Sequence, residues 1–446
     1  MMMIIERGKD EINSIGGITL AGGLLNSLNC LKELDAMAFC GIKTGHISHS
    51  EILKSFTGLQ TLGKNDYNDI EIYRNDEFFR DSLNLRKVPS ESIMRQRMNH
   101  MSKDKRVAKV IDNSNVELLS RVKDFGKEKS MFAQYTPVDG DVVVLDNSGS
   151  KKESVSMSYM KVEGYAPMFA YVGTHGYMLD CELRPGSQHS SKGTVEFIKQ
   201  VIAKAKSLNI KNILIRLDSG YDASELIEEL MKHPEIYYLI KRNLRKESHE
   251  QWLELARSVG KCRIPRDGKK VYTGAVTHIH PAGREELSPI FTVFEVTERT
   301  IKADGQMLLS PEIEVNTCWT NLPEDPETSI LFYHNHGTSE QFHSELKSDI
   351  GIERLPSGNF STNSLIMALG KIAYNTLRII GQKALEMKEL LPNKVKVERR
   401  RLRSVLQDFI YIGCKRVYHA GKTYLKFGRN CPWVDIFRGL YASFCY

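Results

Sequence analysis

Residues 141–146 read DVVVLD and residues 212–218 read NILIRLD. Each is a short apolar run of the kind that fills a buried strand, and each ends on an aspartate followed by a glycine-containing turn, NSGS after Asp146 and SGY after Asp218. Between them lie PMFAYVGT (167–174), which has strand composition, and KGTVEFIKQVIAKAKSL (192–208), which has helical periodicity; IYYLIK (236–241) adds one more strand. Strand, strand, helix, strand, strand of this kind predicts an α/β domain whose sheet is covered by helices. Ligands of open α/β sheets gather at the carboxyl ends of strands, so Asp146 and Asp218 are expected to point into one site. An aspartate at such a turn also serves simply by accepting backbone hydrogen bonds, and for either residue alone that reading competes.

Outward from this centre the texture changes. Residues 1–135 carry apolar residues at helical spacing in LLNSLNCLKELDAMAF and SHSEILKSFTGLQTLG, followed by SESIMRQRMNHM. Here Arg95 and Arg97 cluster with Lys103, Lys105 and Arg106, which marks a helical, DNA-contacting region. The α/β core begins at 136 and breaks at 241. Residues 242–325 alternate polar and apolar in KKVYTGAVTHIH, PIFTVFEVTER and EIEVNTCWTN, as an antiparallel β insertion would. Helical texture returns over 326–392, the second part of the core. Residues 393–446 hold twelve Lys/Arg against three Asp/Glu, a local +9 within a chain whose net charge is +7. Such an extension points to a polyanion, with Arg399, Arg400, Arg401 and Arg403 as contacts.

The 446 residues are 41% hydrophobic and 26% charged, which excludes a disordered or fibrous chain. No apolar run is long enough for a membrane span, and the opening MMMIIERGKD has no signal-peptide pattern, so a cytoplasmic, nucleoid-associated protein is expected. Eight cysteines without a Cys-x-x-Cys spell neither a zinc ribbon nor a redox motif. No phosphate-loop motif occurs. His278 and His280 alternate along a strand and read as a solvated face rather than a metal site.

A third acid comes from YHNHGTSEQFHSELK (333–347). Thr338 is read as a helix N-cap with Gln341 at the third helical position, so Glu340 falls in the first turn. Lys347, seven residues on, shares its face, whereas Glu345 and Asp349 are expected to be solvated. The spacing Tyr333, two residues, His336, three residues, Glu340, six residues, Lys347 resembles the Tyr-x2-Arg-x3-Glu-x6-Lys signature of insertion-sequence transposases with an RNase H-like DDE core. ERLPSGNFSTNSLIMALGKIAYNTLR, LDNSGS and IRLDSGYDA are similar to segments of the thirteen-eighty group of that family. His336 stands where the family has Arg.

The resemblance implies an RNase H-like mixed sheet with flanking helices. It also implies catalytic and metal-binding acids Asp146, Asp218 and Glu340 with two Mg²⁺ or Mn²⁺ ions, and Tyr333, His336 and Lys347 on DNA phosphates. The expected partner is double-stranded DNA, as terminal inverted repeats and target, bound by a homodimer, with hydrolysis followed by strand transfer. A metal-dependent nuclease on the same core and a non-catalytic, element-derived DNA-binding protein remain as alternatives.

Overall fold

The computed structural model describes residues 3–6, 11–39, 45–279, 290–392 and 397–445. Its central sheet has ten strands among the described residues, nine of them on one continuous path: β1 Gln134–Val142, β2 Met168–Val172, β3 Tyr177–Glu182, β4 Ile213–Leu217, β5 Tyr237–Lys241, β6 Lys261–Arg266, β7 Lys269–Ile279, β8 Ile290–Ile301 and β9 Met307–Thr320. Their spatial order is β6-β7-β8-β9-β5-β4-β1-β2-β3, and the short Glu128–Lys129 strand pairs with β1. Strands β1, β2 and β3 pair antiparallel, whereas β4 runs parallel to both β1 and β5. The parallel centre is buried on both faces, which is why ILIRL in β4 is apolar throughout apart from Arg216. Helix Thr194–Ser207 crosses from β3 to β4 and buries Phe197, Ile198, Val201 and Ile202.

The β insertion extends this sheet. Strand β9 pairs antiparallel with β5, with Leu239 opposite Thr320. Helix His249–Val259, which the alternating pattern did not announce, sets Trp252 and Leu253 against Phe294 and Val296 in a small core of their own. The Arg242 guanidinium lies over Trp319, 4.4 Å from its ring centre.

One apolar core joins the N-terminal helices, the sheet and the C-terminal segment, from Ile15 through Leu440. Ile12–Asn13 pairs with Cys414–His419, and Cys414–His419 with Lys422–Phe427, so both ends of the chain share one small sheet. Contact is close there: a Cβ on Gly17 would come within 1.9 Å of the Phe409 carbonyl oxygen. Helix Phe360–Glu386 runs through the centre with twenty of its residues buried. Its Lys371 ion-pairs with Asp112 at 2.6 Å and Asp180 at 3.1 Å, linking the helix to the N-terminal region and to β3.

Residues 326–349 depart from expectation. The chain is helical from Pro326 onward, capped by Asp325, whose side chain accepts from the Thr328 amide. A 3₁₀ turn at Asn335–Thr338 leads directly into Ser339–Ser344 and then a π turn at Glu345–Asp349. Thr338 is therefore inside a helical path and makes no capping bond. Glu345 and Asp349 are buried, not solvated: Glu345 pairs with Arg378 and Arg399, and Asp349 with Arg401. Removing one partner of a buried ion pair strands the other, so Glu345→Ala should cost about 3–5 kcal/mol of stability, read as a lower urea midpoint. An unchanged midpoint would show that Arg378 does not depend on it.

Candidate active site

Parallel pairing of β1 with β4 puts Gly140 opposite Leu217, so Asp141 and Asp218 stand side by side at the carboxyl ends of adjacent strands. Burial raises the Asp218 pKa above the usual carboxylate value, and the Asp141 charge raises it further. The Asp218 Oδ1 accepts from the Gly220 amide at 2.9 Å. The Asp141 Oδ2 lies 3.2 Å from His343 Nε2. The buried hydroxyl of Tyr221 is close enough to feel both acids and has no hydrogen-bond partner among the described residues.

Below the acids lies a buried charge network. Asp139, two residues before Asp141 and on the same strand face, accepts from Arg216 Nε at 2.6 Å and Nη2 at 2.8 Å, and from His336 Nδ1 at 2.8 Å. Arg216 Nη1 also reaches Glu128 at 2.8 Å and the Phe332 carbonyl at 2.6 Å. Burial works to raise the Asp139 pKa, but Arg216 and His336 outweigh it and hold the carboxyl at about 2.

The helical path 326–349 covers this end of the sheet. Since His336 reaches Asp139 and His343 reaches Asp141, Glu340, four residues after one and three before the other, belongs to the same helical face, with an exposed side chain. Tyr333 is half-buried; burial, Cys318 and then Asp218 and Asp141 raise its phenol pKa. Lys347 Nζ donates to the Val144 carbonyl at 2.8 Å and pairs with Glu353 at 3.1 Å.

The sequence matches the family described as Transposase DDE domain group 1 over residues 6–276 and 296–444. The chain belongs to this family. Among solved structures it is similar to the piggyBac transposase of a synaptic complex with hairpin DNA, at 11% identity over 98% of this chain and 84% of that one, with a TM-score of 0.42. No curated protein matches it.

Within this transposase Asp218 stands at its strand end as expected, but Asp146 is not the residue beside it. Asp146 lies beyond the point where the chain leaves the large sheet, in the Leu145–Asp146 strand, where it pairs with Gly164. Its Oδ1 accepts from the Ser148 amide at 2.8 Å, and that bond lowers its pKa, with Arg354 and Lys347 contributing. The residue beside Asp218 is Asp141. The signal was present in the sequence: Asp141 follows Asp139 at the two-residue period of one strand face, but Pro137 and Gly140 disguised the strand.

Several expected DNA contacts are internal. His336 is buried against Asp139. Arg97 is buried and donates to the Ile47 carbonyl, with His49 Nδ1 2.7 Å away. Arg95 is exposed, paired with Glu91 and set over Tyr67. In the basic tail, Arg399 binds Glu345 and Gln341, buried Arg400 binds Asp408, and Arg401 binds Asp349; Arg403 is exposed. His280 and the His278 side chain lie outside the described residues. No group of three or more His, Cys, Asp or Glu among the described residues is arranged to hold a metal ion, and no described helix is long and apolar enough to cross a membrane.

If Asp141 and Asp218 share a site, Asp141→Asn removes the like charge and Asp218 should titrate at lower pH than in the wild type. Carboxyl ¹³C NMR in metal-free buffer reads this directly. Coincident titration curves would separate the two acids.

Proposed function

We propose that the chain is the transposase of a bacterial insertion sequence in the thirteen-eighty group, cutting and joining DNA with Asp141, Asp218 and Glu340. The observation that carries this reading is the register that sets Asp141 beside Asp218 under the helix face bearing Glu340, within a chain of the DDE family. The strand order β3-β2-β1-β4-β5, with three antiparallel strands followed by two parallel ones, supports an RNase H-like core.

Asp141 and Asp218 offer only oxygen, as a hard divalent cation prefers, and Asp218 lies against a like charge that a cation would neutralise, with the Tyr221 hydroxyl unpartnered among the described residues; Glu340, exposed on the covering helix, is the proposed third donor. Two bound Mg²⁺ or Mn²⁺ ions would supply activation of the attacking oxygen and stabilisation of the leaving oxygen. The protein's own groups do the positioning. His343 fixes the Asp141 carboxylate from the helix side. Arg216 and Asp139 hold the two strands and His336 in register below it. The fixed position of Asp218 comes from its bond to the Gly220 amide. Tyr333, whose phenol feels Asp218 and Asp141, and Lys347, held by the Val144 carbonyl and Glu353, are the further proposed contacts to the DNA strand. Exposed Arg95 and Arg403 are suited to phosphate contacts, and double-stranded element ends and target DNA, bound by a homodimer, are the proposed partners.

Asp141→Asn, Asp218→Asn and Glu340→Gln should each abolish Mg²⁺-dependent cleavage of labelled element ends while retaining specific DNA binding. Asp146→Asn should keep cleavage within a few-fold of wild type. Loss of cutting in Asp146→Asn together with normal cutting in Asp141→Asn would return the first acid to Asp146. A strand-transfer assay separates a transposase from a nuclease, because the latter cuts without joining.

A further inference from the structure

A cavity of about 440 Å³ opens beside the helix Glu91–Met101 in the N-terminal region. Ile93, Gln96, Arg97 and His100 recur at steps of three and four residues, so one face of that helix forms a wall. His46, Arg74 and Lys87 join Arg97 and His100 in the lining, and no carboxylate among the described residues does. Glu71 meets Arg74 at 3.1 Å, and its other oxygen is taken by the Glu91 amide at 2.7 Å.

Arg97 carries the imbalance. It is 8% exposed, and its hydrogen-bond partners are both neutral: Nη1 donates to the Ile47 carbonyl at 3.2 Å, and Nη2 lies 2.7 Å from His49 Nδ1. A guanidinium has no acceptor, so His49 Nδ1 must accept and the ring is uncharged. The Asp35 charge reaches Arg97 at longer range, but its two oxygens bond to the Ser50 amide and hydroxyl. Arg97 Nε is buried with no hydrogen-bond partner among the described residues, and so is Arg74 Nε. Arg216, also buried, is met by two carboxylates. A guanidinium removed from water without a counter-charge is costly, and the cations around Arg97 add to that cost.

The missing partner is an anion of more than one charge. A carboxylate brings one, whereas a phosphate monoester brings nearly two and several strong acceptor oxygens. Ile47, Val88 and Ile93 line the remaining wall and suit the less polar part of an organic phosphate, and the volume is that of a small-molecule pocket.

We propose that this cavity binds the 5′-phosphate of a nucleotide, with Arg97 on the phosphate oxygens at its buried end and Lys87 and His100 at its exposed rim. The same group is carried by a free mononucleotide and by a 5′-phosphorylated DNA end. All lining residues fall within 45–100, so the site stands whether or not Asp141 and Asp218 cut DNA.

The test is calorimetric titration of the full chain, in metal-free buffer with EDTA, with deoxynucleoside 5′-monophosphates and with the matching nucleosides. The nucleotides should bind and the nucleosides should not. Lys87→Gln should weaken nucleotide binding roughly tenfold and Arg97→Gln more, while Lys109→Gln, an exposed cation outside the lining, should change nothing. Should Arg97→Gln fail to fold, Lys87→Gln carries the test, because its side chain is exposed. Competition by one duplex with either a 5′-phosphate or a 5′-hydroxyl end separates the two sources. A preference for the phosphorylated end that Lys87→Gln removes assigns the site to DNA ends, with or without binding of the free nucleotides. Nucleotide binding with no such preference assigns it to a free nucleotide. Nucleosides that bind as tightly as nucleotides, or affinities for nucleotide and phosphorylated duplex that Lys87→Gln leaves unchanged, overturn the site. So does an absence of both nucleotide binding and end preference.

Discussion

Arg216 lies at the centre of the sheet with 2% of its side chain exposed, and the geometry of the site depends on how its charge is satisfied. Burying a guanidinium is costly unless every donor finds a partner. The donors of Arg216 are met by Asp139 on the neighbouring strand, by Glu128 on the short strand beside it and by the Phe332 carbonyl on the covering helix. These three elements are far apart in sequence, so one side chain fixes both strand register and helix placement. Asp141 and Asp218 each lie two residues beyond a member of this pair. Their juxtaposition therefore follows from the Arg216–Asp139 contact. Because Asp139 is depressed to about 2, its stabilising contribution is full above the unfolded value near 4 and is lost only as pH falls toward 2.

The basic tail shows why net charge along a segment is a weak guide to its surface. The +9 of residues 393–446 is a property of the segment in isolation. Folded, several of its cations meet carboxylates contributed by distant parts of the chain: Arg399 meets Glu345, Arg401 meets Asp349, and Arg416 meets Glu11, Glu77 and Asp81. Two of these carboxylates lie on the π turn that follows Glu340. The tail thus braces the helix that covers the acids, a role that local composition does not reveal.

Legibility followed the same division between local and distant causes. Apolar runs revealed β2, β4 and β5, and Asp218 at its strand end was visible because the run before it is uninterrupted. The first strand was misread because VVVLD is more apolar than the TPVDGDV that pairs with β4. Its two aspartates are tolerated in the sheet by Arg216 and His343, and neither partner is adjacent in sequence. Thr338 looked like a cap because Thr-x-x-Gln is a local pattern, but Asp325 and Pro326 had already started the helix. Gly337 falls in a single 3₁₀ turn and leaves the helical path unbroken. The long strands β7, β8 and β9 were legible from their alternation. Their union with the main sheet was not, because the pairing of β9 with β5 joins residues about eighty positions apart.

His336 illustrates how such a network constrains a position that resembles a family signature. Arg216 occupies both oxygens of Asp139 with its fork, leaving Oδ1 to accept one further bond, which comes from His336 Nδ1. With Asp139 ionised, Nδ1 must be the donor, so the ring meets the carboxylate as a single N–H whether or not Nε2 is protonated. An arginine here would bring a second planar fork and a second obligatory charge to a carboxylate already engaged on both oxygens, in a space where the His336 side chain is 10% exposed. A single imidazole N–H satisfies what remains of Asp139 and closes the contact between sheet and helix. The spacing Tyr-x2-His-x3-Glu is thereby kept, while the residue at its second position faces the protein interior and sets the register from which His343 reaches Asp141.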